Sequence, residues 1–292
     1  MIKYNSVKDL ADLAIKEGKN ISDIVLNDQA LQTDMSLEDV YNTMLNNLNV
    51  MRSSVVDGMN PNLKSASGLS GGSAHKMKTA VDSGNSICGP LLGNVLTRAL
   101  AVSELNACMG KIVACPTAGA CGIVPAVLLT FQEEQNIPDI KVVMSLLTAS
   151  GIGMVIAKEA SISGAEGGCQ AECGSASAMA AAALVELAGG TPTMATHACA
   201  IAIKNMLGLV CDPVAGLVEV PCVKRNTIGS ANALVAAELA LAGIESAIPA
   251  DEVIAAMRSV GNAMSDTLKE TALGGLAATP TAKRIAESLQ QQ

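Results

Sequence analysis

Apolar residues recur at helical steps along the first sixty positions. Val7, Leu10 and Ala14 share one face of a helix that Ser6-Val7-Lys8-Asp9 opens with capping-box spacing and Gly18 stops. Residues 21–31 form a second short helix. Ser36-Leu37-Glu38-Asp39 opens a third, in which Leu37, Val40, Met44, Leu48, Met51 and Val55 keep helical spacing up to Gly58. The pattern predicts an amphipathic helical lead-in over residues 1–60, packed on a main body over residues 61–292.

After Asn60 the chain turns small and flexible through Pro61 and the run Ser65-Ala66-Ser67-Gly68-Leu69-Ser70-Gly71-Gly72-Ser73. Beyond it the apolar segments are long and Ala-rich, with no sustained strand-like alternation. Residues 176–188 and 227–242 predict Ala-rich helices, the second stopped by Gly243. Pro249-Ala250-Asp251-Glu252 begins another, and Thr279-Pro280 places an N-cap before a proline at the first helical position. β-Branched and aromatic runs are scarce. The expected fold class is all-α, with Gly/Ser-rich breaks between helices.

Three uncharged runs, 112–132, 142–157 and 187–203, raise the question of membrane. The first is interrupted by Pro116, Gly119, Gly122 and Pro125, and the others by Gly, Ser and Thr. They read as buried core segments, and no membrane association is expected. The N-terminus lacks an apolar signal core, so the expected location is cytoplasmic. Composition sharpens this. Half of the 292 residues are hydrophobic, but only two Tyr and one Phe are aromatic and there is no Trp. A chain without stacking platforms and with a net charge of −8 is badly suited to nucleic acid, which is excluded as a partner.

Two Gly-rich breaks precede helices, at 67–73 and 116–122. Converging backbone amides at a helix N-terminus bind a phosphate or carboxylate without a basic side chain, although a tight interhelical turn uses the same residues. Neither break has the Lys-Ser/Thr of a Walker loop. The nine cysteines are an odd set in a chain without an export signal, which argues against a disulfide framework. Cys169 and Cys173, four apart, share a helix face as two metal ligands would, but no Cys-x-x-Cys pair occurs. His75 follows the first break, where it suits anion contact or proton transfer. His197 sits in an apolar stretch and reads as a core histidine. Glu166 and Glu172 flank Cys169, either orienting a bound group, binding an ammonium, or simply exposed on a loop. Lys224-Arg225 reads as a solvated face.

These residues carry a resemblance. Ser67-Gly68-Leu69-Ser70-Gly71-Gly72, Cys88-Gly89-Pro90-Leu91-Leu92, Pro116-Thr117-Ala118-Gly119, Gly168-Cys169-Gln170-Ala171-Glu172 and the long run from Cys211-Asp212-Pro213 to Val220-Pro221-Cys222 resemble the α chain of bacterial iron–sulfur L-serine dehydratases. The likeness extends from about residue 37 to the end, and that family is all-helical.

The resemblance implies a 4Fe–4S cluster on Cys169, Cys211 and Cys222, with one iron left open as a Lewis acid for the β-hydroxyl of L-serine. Water is eliminated, and the aminoacrylate product tautomerises and hydrolyses to pyruvate and ammonia. The two breaks, through Ser67, Ser70, Gly71, Gly72, Thr117 and Gly119, are expected to bind the substrate. Lys76 and His75 are the candidates for the α-proton base. The Ser-His-Thr motif carried by a separate β chain in two-chain members is absent here, so a heterodimer or higher oligomer with such a chain is expected. The chain ends Leu289-Gln290-Gln291-Gln292, without the terminal Cys that caps the open iron in some relatives. Competing readings are an L-cysteine desulfidase and a non-catalytic subunit supporting a β chain. Pyridoxal phosphate is not expected, because no Schiff-base Lys in a Ser-x-Lys context precedes a Gly-rich phosphate loop.

Overall fold

The computed structural model describes residues 4–291 and is all-α, with thirteen α-helices and no strand among the described residues. The lead-in forms α1 (Val7–Glu17), α2 (Ile21–Thr33) and α3 (Leu37–Gly58). Their ends follow local chemistry. The Ser6 side chain accepts the Asp9 amide, Ser36 accepts the Asp39 amide, and Gly18 closes α1 in the left-handed conformation. Leu10, Ile24 and Leu48 are fully enclosed and belong to the same apolar core as the rest of the chain.

Next come α4 (Ser73–Asp82), α5 (Gly89–Ala107), α6 (Ile123–Gln135), α7 (Asp139–Glu159) and the single-turn α8 (Gly164–Gly167). A π-helical turn, Gln170–Gly174, then leads directly into α9 (Ser175–Leu187). α10 (Pro192–Met206), α11 (Cys222–Leu241), α12 (Ala250–Ala263) and α13 (Pro280–Gln290) complete the fold, with Thr279 capping α13 through the Ala282 amide.

α9 is the axis of the molecule. Twelve of its thirteen residues are buried, Glu186 being the exception, and α6, α7, α10 and α11 surround it. A helix that is apolar on every side must be enclosed, and the small side chains of Ala176, Ala180 and Ala183 let neighbours approach closely.

Two expectations change. The 142–157 run is not broken by its glycines, because α7 runs unbroken through Gly151. A Cβ there would lie 2.5 Å from Val25 Cγ2, so the glycine answers to the packing of α2 and does not interrupt the helix. α7 is long and apolar enough to cross a membrane by length and composition, but 67% of its apolar window is buried inside the protein. The 187–203 run, in contrast, is broken between α9 and α10, at Gly189 and Gly190. The helix expected from Thr227 begins five residues earlier, at Cys222, directly after the cis Val220–Pro221 bond.

Candidate active site

Three segments distant in sequence bring Cys169, Cys211 and Cys222 together. Cys169 precedes the π turn that opens α9, and Cys222 is the first residue of α11. Cys211 lies on an extended segment that pairs with the stretch after α12. Its amide donates to the Leu268 carbonyl (2.8 Å), and its carbonyl accepts the Glu270 amide (2.7 Å). All three side chains are buried. Burial, and then the charge of Cys169, raise the thiols of Cys211 and Cys222, the latter to about 12.

Arg225, one turn into α11, is mostly buried and not part of a solvated face. It donates to the Val210 carbonyl (2.6 Å) and to Asp212 Oδ1 (2.8 Å), and its charge faces Cys169. The hydrogen bond that Cys169 shares with Cys173, Sγ to Sγ 3.4 Å, and then Arg225 hold the Cys169 thiol below its ordinary range against the effect of burial. Asp212 also accepts the Leu276 amide at 2.7 Å, which clamps the segment between α12 and α13 over the site.

The second Gly-rich break borders these cysteines. Thr117 donates its hydroxyl to Glu172 Oε1 at 2.8 Å. A Cβ on Gly119 would stand 3.2 Å from the same carboxylate oxygen. One on Gly164 would stand 2.9 Å from Cys211 Sγ and 3.0 Å from Glu172 Oε2. Glycine at 164 therefore lets the chain approach Cys211 and Glu172 closely. Burial, and then the charge of Glu270, push the Glu172 carboxyl above its ordinary range, against the Thr117 hydrogen bond. Asn226 ties the break to α11, accepting the Gly122 amide (2.9 Å) and donating to the carbonyls of Gly119 (2.7 Å) and Cys222 (3.0 Å).

The first Gly-rich break is already occupied by the protein's own carboxylates. Glu104, buried in α5, accepts the amides of Gly71 (3.2 Å), Ser73 (2.9 Å) and Ala74 (3.1 Å). Ser65 and Ser67 donate their hydroxyls to the two oxygens of buried Glu219, both at 2.7 Å. Gly72 is the left-handed N-cap of α4. The Ser70 hydroxyl has no partner among the described residues. His75 and Lys76 lie on the exposed side of α4, and His75 offers only its backbone carbonyl, to Thr79.

Of the remaining flagged residues, Glu166 is exposed and accepts the Ser161 hydroxyl (2.6 Å). His197 is half-buried, its Nδ1 accepting the Ser246 amide (3.1 Å). Cys115, Cys121, Cys173 and Cys199 are buried, as expected of free thiols in a core, whereas Cys108 is half-buried and Cys88 is exposed. Sequence reading did not single out Glu104, Glu219, Asp212, Asn226 or Glu270. Asp212 and Glu219 lay within the Cys211–Cys222 run, but nothing local marked the others.

Among the described residues, no three His, Cys, Asp or Glu side chains are close enough to hold a single metal ion. Cysteines that bind separate irons at the corners of a cluster stand further apart than ligands of one ion. Three buried thiols, one of them approached so closely by Gly164 that a Cβ there would crowd it, have the soft donor chemistry that such a cluster needs.

Comparison with known proteins identifies the family. The family model described as "Serine dehydratase alpha chain" matches residues 16–277. The chain is 49% identical to the probable L-serine dehydratase, alpha chain, of Bacillus subtilis over 98% of this chain and 95% of that one. It is 46% identical to the L-serine dehydratase, alpha chain, of Peptoniphilus asaccharolyticus over 96% of each. The L-serine dehydratase of Helicobacter pylori is 38% identical over 94% of this chain, which spans 62% of that protein. The chain belongs to the serine dehydratase alpha chain family.

Proposed function

We propose that this chain is the catalytic α subunit of an L-serine ammonia-lyase, converting L-serine to pyruvate and ammonia. The observation that carries the reading is the convergence of Cys169, Cys211 and Cys222 on the Thr117–Glu172 pair. The names of the relatives, serine dehydratases and their alpha chains, support the substrate and the reaction.

Cys169, Cys211 and Cys222 would hold a 4Fe–4S cluster. When bound, it supplies a Lewis acid for the departing β-hydroxyl. The chain's own residues do the positioning. Glu172, with one oxygen fixed by Thr117, presents its second oxygen to the space beside Gly164 and receives the substrate ammonium there. That ion pair offsets the burial that disfavours the Glu172 carboxylate. Asn226 fixes the break at Gly119 and Gly122 against α11, so Thr117 and Cys222 keep a constant relation. Arg225 screens charge gathered on Cys169. Holding the reacting groups in one geometry is a large part of what such a site contributes.

We further propose that a separate β chain completes the enzyme. The alpha-chain names of the two-chain relatives support this, as does the greater length of the H. pylori protein. The test is the iron and acid-labile sulfide content of anaerobically purified protein, with pyruvate formation from L-serine and from L-cysteine measured on the same sample, alone and with the β chain. Bound iron and sulfide with serine-dependent pyruvate are expected. Protein that takes up no iron after anaerobic reconstitution overturns the reading, and turnover of cysteine alone makes the chain a desulfidase.

A further inference from the structure

Cys173 is not one of the three candidate ligands, yet its sulfur lies 3.4 Å from that of Cys169. Both side chains are buried, at 1% and 2% exposure. Among the described residues no other pair of cysteine sulfurs is in hydrogen-bond contact. The π-helical turn Gln170–Gly174 carries this relationship. Such turns widen a helix by one residue and recur at functional sites. A disulfide holds its sulfurs about 2 Å apart, so this pair has roughly 1.4 Å left to close. Both sulfurs belong to one short stretch of chain, so closing the bond draws only this turn together.

From this contact we infer that Cys169 and Cys173 form a reversible disulfide whenever Cys169 is not engaged by metal, a modification site that takes a cluster ligand out of service. The inference rests on the reading of Cys169 as a ligand. The oxidant is a peroxide. The Cys169 sulfur attacks one oxygen of hydrogen peroxide, the O–O bond breaks, and a sulfenic acid forms while the Cys169 proton leaves with the other oxygen as water. The Cys173 sulfur then attacks the Cys169 sulfur, and the S–O bond breaks. The Cys173 proton leaves with the departing oxygen as water. Two thiols and one peroxide thus give one disulfide and two waters. Glu172, between the two cysteines in the chain, is only partly buried. In a reducing compartment thiol exchange reopens the bond and restores the ligand. Closure also stops the Cys169 sulfur at the sulfenic stage, short of the irreversible acids.

The experiment uses the full chain, freed of iron by a chelator under reductant, stripped of reductant anaerobically, and treated with one equivalent of hydrogen peroxide. Cys169, Cys173 and Cys199 lie between Lys158 and Lys204, on one tryptic peptide. The expected result is an intact mass lower by two hydrogens and a peptide that alkylates only at Cys199. The oxidised protein should fail to reload iron until a thiol reductant is added. Cys173→Ser should give no mass loss, and dimedone should trap a sulfenic acid on Cys169 in that variant but not in the wild type. Full alkylation of Cys169 and Cys173 after peroxide overturns the inference, as does Cys169 paired with another cysteine, or unchanged iron uptake by the oxidised protein. A disulfide in a protein that takes up no iron even when reduced leaves the thiol chemistry standing and removes the cluster assignment.

Discussion

The backbone amide of Ser73 donates to both carboxylate oxygens of Glu104, at 3.1 and 2.9 Å, so the N-terminus of α4 is held by an internal anion. Gly71 and Ala74 add their amides to the same group. Glu104→Ala leaves several buried donors without an acceptor, and each such loss costs about 1–3 kcal/mol. The expected outcome is a lower denaturation midpoint, with faster amide exchange concentrated at Gly71, Ser73 and Ala74. Unchanged exchange there would mean that the carboxylate does not hold the helix end.

Glu172 and Thr117 are expected to act on substrate and not on cluster retention. Glu172→Gln keeps the shape and the Thr117 contact but removes the charge that receives the ammonium. Losing one partner of a buried charge pair costs roughly 2–5 kcal/mol, so kcat/KM for L-serine should fall by a factor on the order of a hundred or more. Thr117→Val should show a smaller loss and Thr117→Ser should recover it. Iron content measured on the same samples should match the wild type. Loss of iron in Glu172→Gln would assign the carboxylate to the metal site instead.

What could be read from the sequence was local. Ser6, Ser36 and Thr279 cap helices through amides three residues away, and the residues that fix each end are adjacent in the chain. The candidate ligands Cys169, Cys211 and Cys222 were legible only through resemblance, since spacing alone favoured Cys169 with Cys173. The first Gly-rich break has the form of an anion site, and the structure fills its amides with Glu104, thirty-one residues beyond Ser73. No local pattern pairs those two positions. Glu219 with Ser65 and Ser67, and Glu270 beside Cys211, are likewise products of chain crossing. Gly151 reads as a break in sequence because its reason lies on α2.

Six of the nine cysteines divide into two sets by position. Replacing Cys169, Cys211 or Cys222 singly by Ser should abolish iron binding, because each removes one of three ligands drawn from separate segments. Cys115, Cys121 and Cys199 lie in the core away from that group, and burial pushes their thiols well above the ordinary range, Cys115 and Cys199 to about 12. Replacing any of them by Ala should keep full iron content and cost stability only, about 1 kcal/mol for a small cavity. Iron analysis beside a denaturation midpoint separates the two sets, and retention of iron in Cys211→Ser would break the three-ligand assignment.

Glu186 offers a pH test of the core. Its Oε2 accepts the Thr148 hydroxyl (2.7 Å) and the Ser22 amide (3.3 Å), and it is the one charged side chain of α9. Burial raises its carboxyl above the ordinary glutamate range, against those hydrogen bonds. A carboxyl raised in the folded state favours folding when protonated. That contribution is fully present below the unfolded pKa and is lost as pH rises through the raised folded value. Where the carboxyl is ionised, the wild type therefore carries a half-buried charge at a net cost. Glu186→Gln keeps an oxygen to accept both hydrogen bonds and carries no charge. Its Tm should exceed that of the wild type at neutral pH, and the gap should close near about pH 4, where both side chains are neutral. A gap that is constant across this range would show that the carboxylate is not penalised in the fold. A lower Tm for Glu186→Gln at neutral pH would show that its charge is held by a favourable partner.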